Sequence, residues 1–208
     1  MVTFDPKTLD PQLVYKLLIG SVLPRPIAWV STISSDGVRN IAPFSFFTVA
    51  CVDPPMVCVS VQRPEVSWKH AKDTIESIAE TREFVVNIAT SELLDQVVMT
   101  AVSYPSDVDE FVVAKLTPVA SDIVAAPRIA ESPVNMECQL HQMINLGADV
   151  LVIGRVVRFH FRDDLLDSRL RMRVNLLRPL GRLAGPDFAT EFSSVKGSVP
   201  IVESPRSP

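Results

Sequence analysis

Apolar residues along this chain repeat with two different periods, and prolines mark most of the places where one period gives way to the other. Leu13, Val14, Leu17 and Leu18 follow Asp10-Pro11 at helical spacing. They predict a short helix with Asp10 at its cap and Pro11 in its first turn. Pro24 and Pro26 predict extended backbone around Arg25. The run from Ile27 to Ile33 reads as a strand that ends at the turn signal Ser35-Asp36-Gly37. Arg39 to Ala50 carries Pro43 within it, which predicts an irregular or edge strand closed by Asp53-Pro54-Pro55. Met56 to Val61 is a further β-branched run.

Trp68, Ala71, Ile75, Ile78 and Ala79 predict an amphipathic helix from Ser67 to about Thr81. Glu83 to Ile88 reads as a strand, and Leu94, Val97, Val98 and Ala101 mark a helix beginning near Ser91. Residues 103–132, with Tyr104-Pro105, Thr117-Pro118 and Ala126-Pro127, read as a long, partly irregular excursion. Asn135 to Asn145, Leu151 to Arg162 and Arg169 to Leu177 are strand-like, and Gly147-Ala148-Asp149 supplies a hairpin turn between the first two. Periodicity fades near Pro186, so residues 186–208 are expected to be a tail, mobile or lying across a partner. About five to seven strands at short spacing, without strict alternation of helix and strand, favour an antiparallel β-barrel with peripheral helices.

The chain has 208 residues, 47% hydrophobic and 21% charged, which suits one domain with its own core. A net charge of -4 and the lack of any Lys/Arg block exclude a nucleic-acid partner. The longest segment without an acidic or basic residue, Asn40 to Val52, is shorter than the roughly 20 residues of a membrane span. The opening MVTFDPKTLDP has no signal-peptide pattern, so a cytoplasmic location is expected. Cys51, Cys58 and Cys138 match no zinc or redox spacing and read as buried reduced thiols. His70, His141 and His160 are too scattered to suggest a metal triad, and no metal is expected.

No dinucleotide-binding glycine motif, P-loop, hydrolase elbow or zincin helix is present. A polar set inside apolar strands remains. Asn40 and Ser45 stand beside Phe44, Phe46 and Phe47, with Pro43 interrupting the ladder. Freed backbone groups and aromatic walls would suit a planar heteroaromatic ligand. A bulged edge strand, with Asn40 and Ser45 satisfying local turns, fits the same residues. Lys72-Asp73-Thr74 offers a cation and a hydroxyl in the first half of a predicted helix, either an anion site or a solvated face. Arg25 is either a third binding cation or a cap for backbone carbonyls. His141 and His160 are either satisfied strand residues or ligand contacts, and Trp29 and Trp68 read as core or interface residues.

Read in order, VLPRPIAWVST, NIAPFSFFTVACVDPPMVCVSV, KDT, FVVNI, PVNMECQL, LVIGRVV and RPLGRLAG resemble the flavin reductase-like, FMN-binding split-barrel family, in its flavoredoxin-type branch. The similarity runs over about residues 9–185. It implies a mainly β domain over residues 1–185, a six-stranded antiparallel split barrel with peripheral α-helices. It also implies a homodimer with FMN near the subunit interface. Transferred by position, Asn40, Ala42, Pro43, Ser45, Phe46 and Phe47 would border the isoalloxazine ring, and Ser60 and Val61 would flank the ribityl chain. Lys72, Asp73 and Thr74 would lie at the phosphate end, and Arg182 would approach from the C-terminal segment. The implied activity is NAD(P)H:flavin oxidoreduction, with reduced flavin passing to a monooxygenase or another redox protein. A flavoredoxin-like electron carrier with tightly held FMN is the alternative. The two cofactors carry this chemistry, so no acid or base residue is assigned. Many relatives carry an aromatic before PLGR and a tyrosine after it. This chain has Leu177-Arg178 and Phe188, so the substrate-side lid differs.

Replacing the phosphate-side cation tests this reading. Lys72→Glu is expected to weaken FMN binding, and a fluorescence titration showing unchanged affinity would remove Lys72 from the site.

Overall fold

A computed structural model describes residues 1–63 and 73–189. The expected helix start at Ser67, with Trp68, His70, Ala71 and Lys72, lies outside the described residues, as does the chain from residue 190.

Helix α1 (Pro11–Ser21) starts where the sequence indicates, with the Asp10 carboxylate accepting the Gln12 N–H at 2.8 Å. Only Ile19 of this helix is buried, while Leu13, Leu17 and Leu18 stay exposed. The chain then forms β1 (Arg25–Pro26), β2 (Ala28–Ile33), β3 (Arg39–Phe44), β4 (Phe47–Cys51) and β5 (Met56–Gln62). Next come α2 (Asp73–Thr81), β6 (Glu83–Ile88), α3 (Leu94–Met99), α4 (Glu110–Val113), and the short strands β7 (Pro118–Val119) and β8 (Arg128–Ile129). Two long strands, β9 (Val134–Asn145) and β10 (Asp149–Phe161), precede α5 (Val174–Leu177), β11 (Gly181–Arg182) and β12 (Phe188–Ala189). No helix among the described residues is long and apolar enough to cross a membrane.

The main sheet runs β3-β2-β6-β9-β10-β5-β4, and every neighbouring pair is antiparallel. Its two edge strands, β3 and β4, are consecutive in the chain, with only Ser45-Phe46 between them. The sheet therefore curls so that its two edges come together, and the β4–β5 ladder runs on past Phe47, the Ser60 N–H donating to the Phe46 carbonyl at 2.8 Å. The six strands expected become seven. The segment around Pro43 is two strands on opposite edges of the sheet, because the chain leaves the ladder at Ser45-Phe46.

Both faces of the sheet are covered. Ala28, Val30, Val59, Val61, Phe84 and Val152 point into the barrel, and Trp29, Ile41, Val97, Phe111 and Ile129 form a second core outside it. Burial on both faces explains why Ile27 to Val30 are apolar without alternation. The fully buried Trp29 indole donates to Thr100 Oγ1 at 2.9 Å, fixing the end of α3 against β2.

The excursion over residues 103–132 packs far more tightly than its sequence implies. Phe111, Leu116, Val124 and Ile129 are buried in it. Glu137 of β9, 0% exposed, accepts the backbone N–H groups of Asp122 (2.8 Å), Ile123 (2.7 Å) and Val124 (3.2 Å). Glu83 takes the next one, from Ala125, at 2.7 Å. His160 Nε2 lies 2.6 Å from Glu137 Oε1, so this histidine is a satisfied strand residue. Burial alone would raise the Glu137 carboxyl, but the Asp122 N–H, the His160 ring and the Ile123 and Val124 N–H groups outweigh it. They hold the carboxyl below the usual glutamate value. Asp122, Glu137 and His160 bring possible ligand atoms within 4.8 Å of one another. Each Glu137 oxygen already accepts two hydrogen bonds, which accounts for the cluster without a metal.

Two further expectations change. Arg169 to Leu177 is no strand: apart from a single bridge, Leu166 to Met172, it holds the short helix α5. Alternating arginines imitate the strand period there, but Asp167 captures the N–H groups of Arg169 (2.8 Å) and Arg171 (3.0 Å) and wraps the segment around itself. The tail expected from residue 186 first contributes β12, which pairs with β11. Of the cysteines, all free, Cys138 is buried and its thiol pKa is pushed up by that burial, while Cys51 and Cys58 are partly exposed.

Gly154 in β10 packs directly against the Phe84 ring. A Cβ at this position would sit 2.3 Å from Phe84 Cζ and 2.8 Å from Cε1. Gly154→Ala should therefore cost about 1–3 kcal/mol by overpacking. Denaturant unfolding should show a lower midpoint, and an unchanged midpoint would contradict this packing.

Candidate functional site

Among the described residues no strand pairs with the outer edge of β3, and Pro43, paired with Trp29 on the inner side, has no N–H to offer there. The segment that follows α3 runs along this edge and leaves a groove. The groove consists of two adjoining hollows that share Pro43 and Ala101. Asn40, Ala42, Asp73, Thr74, Tyr104 and Glu110 line one end. Tyr15, Arg25, Ser45, Arg182, Gly185 and Phe188 line the other. Between them Ala42, Pro43, Ala101, Val97 and Ile27 make an apolar middle.

At the first end the polar groups hold one another. The Asn40 amide satisfies both its ends when Nδ2 donates to Glu110 Oε1 at 3.2 Å and its oxygen accepts from Thr74 Oγ1 at 3.1 Å. The Ile41 N–H also donates to Glu110 Oε2, at 3.3 Å. Asn40, Thr74 and Glu110 are all buried. This contact ties β3 to the start of α2 and to α4. Arg39 reinforces it by placing Nε 2.7 Å and Nη2 2.5 Å from Asp109 Oδ2, while Asp109 Oδ1 caps α4 through the Phe111 N–H. The adjoining surface is acidic, bordered by Asp36, Asp73, Glu76, Glu80 and Asp107.

The opposite end is basic. Arg25, 5% exposed, donates from Nη1 to the Ile19 carbonyl (2.6 Å) and the Val22 carbonyl (3.1 Å), and from Nη2 to the Leu183 carbonyl (3.0 Å). Its Nε lies 3.4 Å from Ser45 Oγ. Carbonyl capping is therefore the observed role of this arginine. Burial lowers the guanidinium pKa from its usual value, Tyr15 opposes that change, and the charge of Arg182 adds to it. Arg182 lies over the Phe188 ring, 4.4 Å from its centroid, and donates to the Pro186 carbonyl at 3.3 Å.

Of the residues expected at a site, the groove collects Asn40, Ala42, Pro43, Ser45, Asp73, Thr74 and Arg182. Phe46 sits next to Ser45, with the Arg25 guanidinium 6.0 Å from its ring centroid. Phe47 packs against the barrel interior, and Val61 is buried inside it. Ser60 donates to Asp149 Oδ2 at 3.2 Å, away from the groove. Lys72 lies outside the described residues. Sequence reasoning missed Glu110, Ala101 and Tyr15, and it noted Phe188 only as a departure from a pattern. The Asp109 cap ahead of Phe111 was the available signal for a helix at Glu110, but nothing local shows that this helix faces Asn40.

Comparison with known proteins places this arrangement. Residues 19–177 match the profile of the flavin reductase like domain. An uncharacterized protein of Aquifex aeolicus is 39% identical over 193 residues, covering 93% of this chain and 97% of that protein. The crystal structure of nitrilotriacetate monooxygenase component B from Bacillus cereus matches with a TM-score of 0.89 and 37% identity, over 94% of this chain and 98% of that one. The 2-nitrobenzoate 2-nitroreductase NbaA of Pseudomonas fluorescens matches with a TM-score of 0.86 and 31% identity, over 99% of this chain and 100% of that one.

Proposed function

The chain belongs to the flavin reductase-like family, and on that premise we propose that it is an FMN-binding oxidoreductase that takes hydride from NAD(P)H and supplies reduced flavin to an acceptor. The observation that carries this reading is the groove, apolar where a ring would lie and polar at both ends. Small side chains, Ala42, Pro43 and Ala101, leave room for a flat ring against the β3 edge. Asn40 and Ser45 stand at its border with polar atoms, and the exposed Phe46 follows Ser45 in the chain. Thr74, Asp73 and Lys72 are assigned to the phosphate end. Phe47 and Val61 pack toward the barrel interior and Ser60 donates to Asp149, so the proposal rests the ring on the groove residues rather than on these three.

Bound FMN supplies the hydride-accepting chemistry. The protein's own contribution is alignment and exclusion of water. The Asn40–Glu110–Thr74 contact fixes the β3 edge, and Arg25 fixes Ser45. A homodimer belongs to the same proposal: Leu13, Leu17 and Leu18 of α1 and Val49 and Val52 around β4 are apolar and exposed, and a second copy would cover them. Supply of reduced flavin to a monooxygenase is supported by the similarity to a protein named as a monooxygenase component.

The test is spectroscopic. The purified protein should bind FMN, and anaerobic NADH or NADPH should bleach the flavin band. Bleaching by dithionite alone would instead assign an electron carrier, and failure to bind FMN would refute both. Asn40→Ala should weaken FMN retention about tenfold or shift its reduction potential, since it removes a polar border and loosens the strand edge. Unchanged affinity and potential would return Asn40 to a purely structural role.

A further inference from the structure

Two arginines face each other across β1 and β11: Arg25 and Arg182 are direct cross-strand partners, and Arg182 is in turn opposite Phe188 on β12. Directly opposed residues of an antiparallel pair share one face of the sheet, and like charges placed so are destabilising. All three side chains line the same end of the groove. Among the described residues no carboxylate pairs with either guanidinium. Arg25 spends most of its donors on carbonyls, including those at the end of α1, where the helix dipole favours a cation. Arg182 makes one hydrogen bond, to the Pro186 carbonyl, and keeps the rest of its fork available. The Phe188 ring beneath it restricts its orientation, as stacking on an aromatic face does.

We propose that Arg182, backed by the charge of Arg25 and steadied by Phe188, forms the subsite for the diphosphate of the pyridine dinucleotide. The inference rests on the reductase reading, in which the flavin ring occupies the middle of the groove and its phosphate the Thr74 end. The basic end then lies beyond the ring, where a second reactant enters. Two positive charges match a diphosphate better than a single carboxylate, and the planar fork of arginine suits its oxygens. With the flavin phosphate assigned to the Thr74 end, the Arg25–Arg182 end is the one left for the donor.

Flavin reduction in the FMN-loaded protein tests this with two donors, NADH and the phosphate-free 1-benzyl-1,4-dihydronicotinamide. Arg182→Gln should raise the NADH concentration for half-maximal bleaching about tenfold or more. It should leave the neutral donor and FMN affinity within about twofold of the parent. Arg182→Lys should recover part of the NADH dependence, because the charge returns without the fork. A thermal melt of Arg182→Gln at or above the parent value is expected, since a like-charge pair is relieved. Equal losses with both donors, an unchanged NADH dependence, or a fall in FMN affinity that assigns the arginine to flavin phosphate would each overturn the subsite. A parent protein that binds FMN but is bleached by neither donor would overturn the reductase reading itself, and the subsite with it.

Discussion

The Arg25 guanidinium is the contact on which the groove depends. One side chain joins the last turn of α1, the Ser45 hydroxyl at the gap between β3 and β4, and the Leu183 carbonyl of the C-terminal segment. These three pieces are far apart in sequence, and the second is the place where the curled sheet has no ladder to hold it. Net hydrogen bonds to a charged donor are worth about 1.5–3 kcal/mol each, and leaving such a buried group unpaired costs more. The arginine therefore locks the geometry in both directions: the carbonyls need it, and it needs them. Proline on either side holds its backbone extended, so the side chain leaves β1 in one direction only.

A different device holds the rest of the irregular chain. Glu137 and Glu83 project from adjacent strands and between them collect four consecutive N–H groups, from Asp122 to Ala125. A segment without regular structure must find partners for its backbone, and here two carboxylates provide them. Asn87 does related work deeper in the sheet, donating to the Trp29 carbonyl at 2.9 Å and to Ser31 Oγ at 3.0 Å while accepting the Ile129 N–H at 3.1 Å. Such networks are costly when incomplete and rigid when complete. Their completeness lets an excursion between β6 and β9 serve as the outer wall of a core.

How far the sequence could be read depended on whether the deciding partner was local. Asp10 and Pro11 announce α1 because the cap and the first turn lie within a few residues of each other. The hairpin at Gly147 is as plain, with a φ of 91° that glycine accepts without strain. Pro43 correctly marked an edge strand, yet the break at Ser45-Phe46 left no local sign that its two halves sit at opposite ends of one sheet. The strand reading of Arg169 to Leu177 failed for a local reason. Alternation of arginine with apolar residues carries the strand period, but an aspartate just before it offers the backbone a competing partner. In the groove, Asn40, Pro43 and Ser45 were legible because they interrupt an apolar strand. Glu110 and Tyr15 were not, since each reaches the groove from an element whose position is set by tertiary packing alone.

The groove's two ends also differ in how their charge is balanced, and that difference follows from the topology. Glu110 and Asp109 come from one short helix and meet partners already fixed on β3, Asn40 and Arg39, so the acidic end is internally satisfied. Arg182 comes from a two-residue strand whose neighbour is another arginine, and no acidic residue stands within the three-stranded ribbon β1-β11-β12. A pairing of this kind gains nothing for folding from its side chains: the peptide ladder holds the strands, and the like charges oppose it. Carbonyls at the end of α1 offset the charge of Arg25, and the π-face of Phe188 offsets part of the charge of Arg182. What remains is a positive field directed into a concave surface, where low-dielectric walls strengthen it. A chain selected only for stability has an easy remedy, a carboxylate opposite either arginine, and among the described residues the cross-strand partners are an arginine and a phenylalanine instead.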